Sequence, residues 1–104
     1  MSNLAHMTRT PEGPIATVWT VGRDESCTVR PVAGSVSRKH AEVSYTAAAG
    51  WSVKDLGSTN GTVVEPKEGD PWKLAPGQQY PIGEDDTLFF GPDVSLHPRS
   101  LRWP

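Results

Sequence analysis

"DLGSTNGT", Asp55 to Thr62, follows directly on the strand-like run "WSVK", Trp51 to Lys54. The stretch holds two glycines, one asparagine and three hydroxyl residues. Gly57 and Gly61 suit a tight turn, because glycine adopts positive φ at little cost. The hydroxyl and amide groups between them also suit the rim of a binding site, since loops on a rigid scaffold carry such groups. Which scaffold holds this loop is decided by its flanks.

Those flanks are strands. In "HAEVSY", His40 to Tyr45, residues Ala41, Val43 and Tyr45 share one face while His40, Glu42 and Ser44 share the other. "WSVKDL" alternates likewise, with Trp51, Val53 and Asp55 on one side. "IATVWTV", Ile15 to Val21, is rich in β-branched residues and stops at Gly22. "GTVVEP" and "DTLFFGP" supply two further short runs. The prolines of "PWKLAPGQQYPIG" exclude a helix there. The proline-rich insertion "EPKEGDPWK" is not required to form a regular hairpin. Short strands at close spacing, separated by Gly, Pro and Asn, predict an all-β antiparallel sandwich or barrel.

A chain of 104 residues bounds this to one small domain. Residues 1–7 read as an expression-tag remnant, and 8–14 as a flexible N-terminal arm. The domain body is expected over residues 15–92, followed by a C-terminal tail, 93–104, whose Leu101 and Trp103 are candidates to dock on it. A formal net charge of −2 with 21% charged residues gives no general nucleic-acid or membrane-binding surface. Cys27 is the single cysteine, so no internal disulfide forms, and it reads as a small buried hydrophobe. No apolar run is long enough to span a bilayer and none resembles a secretory signal. A cytoplasmic setting is the default, including as the cytoplasmic part of a larger protein.

The residues offer little for catalysis. "GSTNGT" lacks the lysine of a nucleotide-binding P-loop. Cys27, His40 and His97 have no metal-site spacing, and no cofactor is implied. Ser37 and His40 lack a nucleophile elbow and a specified third partner. What remains is a polar set at strand ends: Arg23 after one strand, Ser37, Arg38, Lys39 and His40 before another, Ser58, Thr59 and Asn60 after a third. A guanidinium with hydroxyl and amide donors suits a doubly charged tetrahedral oxyanion. Spacing alone does not bring the three stretches together, and each also reads as an ordinary solvated turn.

The combination is more specific than its parts. Gly22-Arg23, "VSRKHAEV" from Val36 to Val43, "WSVKDLGSTNGT" from Trp51 to Thr62 and "LAPGQQYPIGEDDTLFFG" from Leu74 to Gly91 occur in the order and spacing of the forkhead-associated (FHA) domain. From about Ala16 to about Gly91 the chain resembles that family. The resemblance implies an FHA-type (SMAD/FHA-like) β-sandwich of about eleven mostly antiparallel strands. It implies a module that binds phosphothreonine peptides and catalyses nothing. Arg23 matches the phosphate-contacting arginine, and Ser37 the serine whose hydroxyl and backbone amide hold phosphate oxygens. Arg38 follows it and touches phosphate or peptide in many relatives. It also reads, with Lys39, as a solvated basic pair. Thr59 matches a residue that meets the phosphothreonine, and Asn60 the asparagine that bonds the peptide main chain. Gly22, His40 and Gly61 match framework positions, with His40 bracing the loops. Trp51, Asp55 and Leu56 are expected to be structural, and Ser58 a turn residue. The implied partner is a phosphothreonine-bearing protein, a Ser/Thr kinase substrate or the kinase itself. A second copy of this chain, phosphorylated at Thr8 or Thr10 of the arm, is a further expected ligand. The alternative reading is a scaffold or self-association domain of the same fold that ignores phosphate.

Overall fold

The computed structural model describes residues 6–9 and 15–102, with side chains from 16 to 102. Period-2 alternation of apolar residues produces strands that bury one face each. In chain order these are β1 (His6–Arg9), β2 (Ile15–Val21), β3 (Ala41–Thr46), β4 (Gly50–Asp55) and β5 (Thr62–Glu65). They continue with β6 (Trp72–Lys73), β7 (Gln79–Ile82), β8 (Thr87–Phe90) and β9 (Ser95–Leu96). They form two antiparallel sheets, β1-β2-β3-β4-β7 and β6-β5-β8-β9.

The core lies between the sheets. Trp19 and Val21 of β2, Val43 of β3 and Val53 of β4 are fully buried against Val64, Leu88 and Phe90 of the second sheet. Pairing sets Trp19 opposite Val43, and Val43 opposite Val53. One row of large side chains therefore crosses the first sheet. Trp51 stacks on Trp19 with ring centroids 5.2 Å apart, and Tyr45 covers Trp51 from 5.1 Å. Burying each such side chain stabilises the fold by about 1.5–3 kcal/mol. Cys27 is also buried, as expected for a small hydrophobe.

Two connections matter for function. Residues 56–61 carry the chain from β4 in the first sheet to β5 in the second. Residues 22–40 join β2 to β3 around the same end, with an isolated parallel bridge, Val21 to Val29, as their only strand-like pairing among the described residues.

The structure departs from the sequence reading in several places. Nine strands occur among the described residues, where the resemblance implied about eleven. Residues 22–40 are held by loop hydrogen bonds instead of ladders. The insertion from Glu65 to Lys73 closes as a short hairpin, with Val63 opposite Lys73 and Val64 opposite Trp72. Trp72 then packs edge-on to Tyr80 at 5.0 Å, which gives this hairpin an apolar anchor. Pro81 sits in β7, an edge strand of its sheet, where a missing N–H costs little.

The N-terminal end also differs, while at the C-terminal end Leu101 docks on the body as expected. His6–Arg9, set apart as leader and arm, pair as β1 with β2, and Thr8 lies opposite Ala16. Thr10 and the rest of the arm to residue 14 lie outside the described residues, as does Trp103. Part of the tail belongs to the fold. Its Ser95–Leu96 form β9, a 3-10 turn follows at Pro98–Ser100, and Leu101 is buried in the core. The Arg102 carbonyl accepts a 2.9 Å hydrogen bond from the Trp19 indole.

Candidate functional site

Alternation in β4 puts Asp55 on the core face, at the end of the strand, where it is 1% exposed. A carboxylate so placed requires donors on both oxygens. The next residues provide them by folding back. Oδ2 accepts the Gly57 and Ser58 N–H groups at 2.9 and 3.0 Å. Oδ1 accepts the hydroxyls of Ser58, at 2.5 Å, and Thr62, at 2.7 Å. The Ser58 hydroxyl in turn accepts the Gly61 N–H at 3.0 Å. Gly57 and Gly61 take φ values of 85° and 84°, which the return path demands. Burial by itself raises the carboxyl pKa of Asp55. The hydrogen bonds from Ser58, Thr62 and Gly57 outweigh it and hold the group below the usual carboxylate range. "GSTNGT" is thus a loop wound around a buried anion.

His40 joins this loop to the other one. Its ring is fully buried, with Phe90 edge-on at 5.7 Å. Nδ1 accepts the Ser37 N–H at 3.0 Å, and Nε2 lies 2.8 Å from the Gly61 carbonyl oxygen. Because an N–H points at Nδ1 and a carbonyl at Nε2, the ring proton belongs on Nε2. The His40 main chain adds bonds to Val21 and Leu56. One residue therefore ties the end of β2 to both loops.

On that frame four of the candidate ligand-binding residues converge. The Arg23 N–H donates to the Ser37 carbonyl at 3.1 Å, and its Nε to the Val36 carbonyl. The two terminal nitrogens of Arg23 have no partner among the described residues, and the side chain is exposed. Ser37 Oγ accepts the Thr59 N–H at 2.9 Å, which leaves its own proton to donate elsewhere. Asn60 Nδ2 donates to the Ser35 carbonyl at 2.8 Å, and Oδ1 takes no bond from the described residues. Thr59 and Asn60 are exposed. The Ser37 N–H is not open to a ligand in this arrangement, because it is bonded to His40.

Arg38 stands at the same rim but is turned to a neighbour. Its guanidinium, 77% exposed, pairs with Asp24 at 3.1 Å. The Asp24 carboxyl is held down at about 2, first by the Ser26 hydroxyl and N–H and then by Arg38. Gly22 has a steric reason for its identity. A Cβ there would stand 2.1 Å from the Arg38 carbonyl oxygen. At Gly61 the positive φ decides instead.

Sequence reading passed over Ser35, Asp93, Asp24 and Arg30. Ser35 supplies the carbonyl that holds Asn60, and its hydroxyl reaches Asp93 at 3.3 Å, tying residues 22–40 to the β8–β9 turn. A backbone carbonyl leaves no mark in a sequence. Asp24 had a signal, because "DES" is a stretch in which an Asp side chain bonds the main chain two residues on. Two open clefts flank the junction. One, of about 570 Å³, runs beside Arg23 and Arg30, and the other, of about 390 Å³, beside Asn60, Phe89 and Pro92.

Comparison with known proteins gives a consistent picture. The family model described as "FHA domain" matches residues 19–91. The fold is similar to the FHA domain of an Arabidopsis thaliana hypothetical protein, with TM-score 0.63 and 23% identity over 89% of this chain and 80% of that one. It is similar to the N-terminal FHA domain of S. cerevisiae Rad53p, solved in complex with a phosphothreonine peptide, with TM-score 0.59 and 22% identity over 86% and 82% of the two chains. It is also similar to the FhaA FHA domain, solved with the intracellular domain of Rv3910, with TM-score 0.50 and 27% identity over 81% and 78%. No curated protein sequence matches significantly.

Proposed function

The chain belongs to the FHA-domain family, and from that premise we propose that its loop end binds proteins carrying phosphothreonine. It is an interaction module and not an enzyme. The observation that carries the reading is one junction. Two terminal nitrogens of Arg23 and the hydroxyl proton of Ser37, without partners among the described residues, lie on loops joined through the Arg23–Ser37 and Ser37–Thr59 bonds. Phosphorylation gives threonine about −1.5 to −2 charges and three strong acceptor oxygens. Arg23 offers paired donors to such a group, and Ser37 a single directed one. Each hydrogen bond to a charged group contributes about 1.5–3 kcal/mol, which the unphosphorylated peptide forfeits.

Asn60 then fixes register. With Nδ2 held by Ser35, its Oδ1 is placed to accept a main-chain N–H of the bound peptide. The two flanking clefts give the peptide a path on either side of the phosphate. Thr59 supplies contact at the phosphothreonine itself. Arg38 joins only by leaving or sharing Asp24. The Rad53p domain, bound to a phosphothreonine peptide, supports the class of ligand. For this chain the ligand is a Ser/Thr kinase substrate or the kinase.

The test is a degenerate phosphothreonine peptide pool, titrated into the domain beside its unphosphorylated and phosphoserine counterparts. Binding is expected from the phosphothreonine pool, weaker binding from phosphoserine, and none without phosphate. Equal retention of the phosphorylated and unphosphorylated pools would remove this reading and favour a phosphate-blind scaffold.

A further inference from the structure

The cleft on the Arg23 side carries a second guanidinium, Arg30, beside the one that the phosphothreonine reading assigns to the phosphate. Its wall includes Arg23, Arg30, Pro31, Val32, Ala33 and Gly34. Arg30 donates a single long bond, from Nη2 to the Arg23 carbonyl at 3.4 Å. Its Nε is buried with no hydrogen-bond partner among the described residues. Neither Arg23 nor Arg30 has an ion-pair partner among the described residues, where the cations in pairs are Arg38, Lys54 and Arg99. Val32, in the same wall, is 104% exposed, the one large hydrophobic side chain so placed among the described residues. Two uncompensated guanidinium groups beside a bare apolar side chain form a surface that suits an anion with an aliphatic stem.

We propose that this cleft anchors the phosphopeptide a second time, taking an acidic side chain that flanks the phosphothreonine, with Arg30 as the selecting residue. The proposal rests on the phosphothreonine reading of the neighbouring junction. A carboxylate suits Arg30 better than a second phosphate does. Its two oxygens are satisfied by one guanidinium edge, and Arg30, with Nε buried, has only its terminal nitrogens to offer. The methylene stem of the acidic residue covers Val32 while its head reaches Arg30. Arg30 is held weakly enough, by its one 3.4 Å bond to the Arg23 carbonyl, to turn its terminal nitrogens toward the ligand.

The test uses phosphothreonine peptides with alanine at every flanking position but one, where Glu, Gln, Lys or phosphothreonine is placed in turn. Titration of the wild-type domain is expected to find a position where Glu binds about fivefold tighter than Gln, with Lys weaker than both. That preference shrinks as salt is raised. It is lost in Arg30→Gln, reversed toward Lys in Arg30→Glu and retained in Arg30→Lys. Melting curves establish that each variant is folded, and the salt dependence of the wild type stands as an independent check. Phosphopeptides that bind without any acidic preference overturn the proposal, as does a preference that survives in Arg30→Gln. Selection of a second phosphothreonine over Glu assigns the cleft to phosphate and overturns the carboxylate assignment. Failure of every one of these phosphopeptides to bind instead removes the phosphothreonine reading on which the proposal depends.

Discussion

Arg23 uses different parts of one side chain for two tasks. Its Nε secures residues 22–40 at the Val36 carbonyl, and its terminal nitrogens remain for a ligand. Arg23→Ala is expected to weaken a phosphothreonine peptide at least about tenfold, the loss of a charge-assisted pair of at least ~1.4 kcal/mol. Arg23→Lys restores the charge but has no Nε to hold the loop, so it recovers only part of the affinity. Calorimetry on folded variants checks both, and unchanged affinity in Arg23→Ala would refute the assignment. His40 works the other way, with both ring nitrogens occupied by Ser37 and Gly61 and none facing a ligand. His40→Ala leaves two buried main-chain groups unpaired, at about 1–3 kcal/mol each. It should melt earlier and bind more weakly because its loops have separated. A variant that melts like the parent yet loses all binding would make His40 a direct contact.

The turn after β4 is the element where polar structure replaces apolar packing. Its organising centre is Asp55, and the sequence disclosed half of this. Alternation through Trp51, Val53 and Asp55 identified the inward face, but a carboxylate at the end of a buried row has no partner legible in periodicity. The partners are Gly57, Ser58 and Thr62, and they become visible only once the chain turns back on itself. The Arg23, Ser37 and Asn60 positions were legible through their motif. Their convergence was not, because it is set by carbonyls of Ser35, Val36 and Ser37. Asp55→Ala removes the acceptor of four donors and should cost about 2–4 kcal/mol. Asp55→Asn keeps the shape but turns an NH2 toward donors, so an intermediate loss is expected in urea unfolding. Acid should act on the same group. Its folded pKa lies below the unfolded value of about 3.9, so its contribution is complete at neutral pH. That contribution is lost as pH falls below about 4 and through the folded pKa. Wild-type stability should therefore drop in that range more steeply than that of Asp55→Asn, and parallel curves would count against the loop anion.

At the scale of the molecule, alternating strands and proline-bounded turns predicted an antiparallel sandwich or barrel; the family resemblance selected the sandwich, and the strand count it implied differs from the nine among the described residues. A loop such as residues 22–40 is held by scattered main-chain bonds that leave no periodic trace. The C-terminal segment was legible only in part, through Leu101 as a candidate to dock, for a related reason. "DVSLHPRSLRWP" carries two prolines and no repeat, yet its Leu96 packs against the core and its Leu101 lies inside it. This segment closes the sandwich beside Trp19, whose ring stacks on Trp51 and whose indole N–H is capped by the Arg102 carbonyl. Leu101→Ala leaves a cavity there and should destabilise the domain by about 2–5 kcal/mol. Truncation after Val94 should cost more, because it also removes β9 and exposes the β8 edge. The loop end has its own supports in His40 and Asp55, neither of which is hydrogen-bonded to the described residues of the C-terminal segment. Folded Leu101→Ala should therefore bind a phosphothreonine peptide within about twofold of the parent, a difference below ~0.5 kcal/mol. Urea melts and calorimetry on one preparation separate the two effects. A large affinity loss in protein that is still fully folded would mean that the core and the loop end are coupled through Trp19 and Val21, not supported separately.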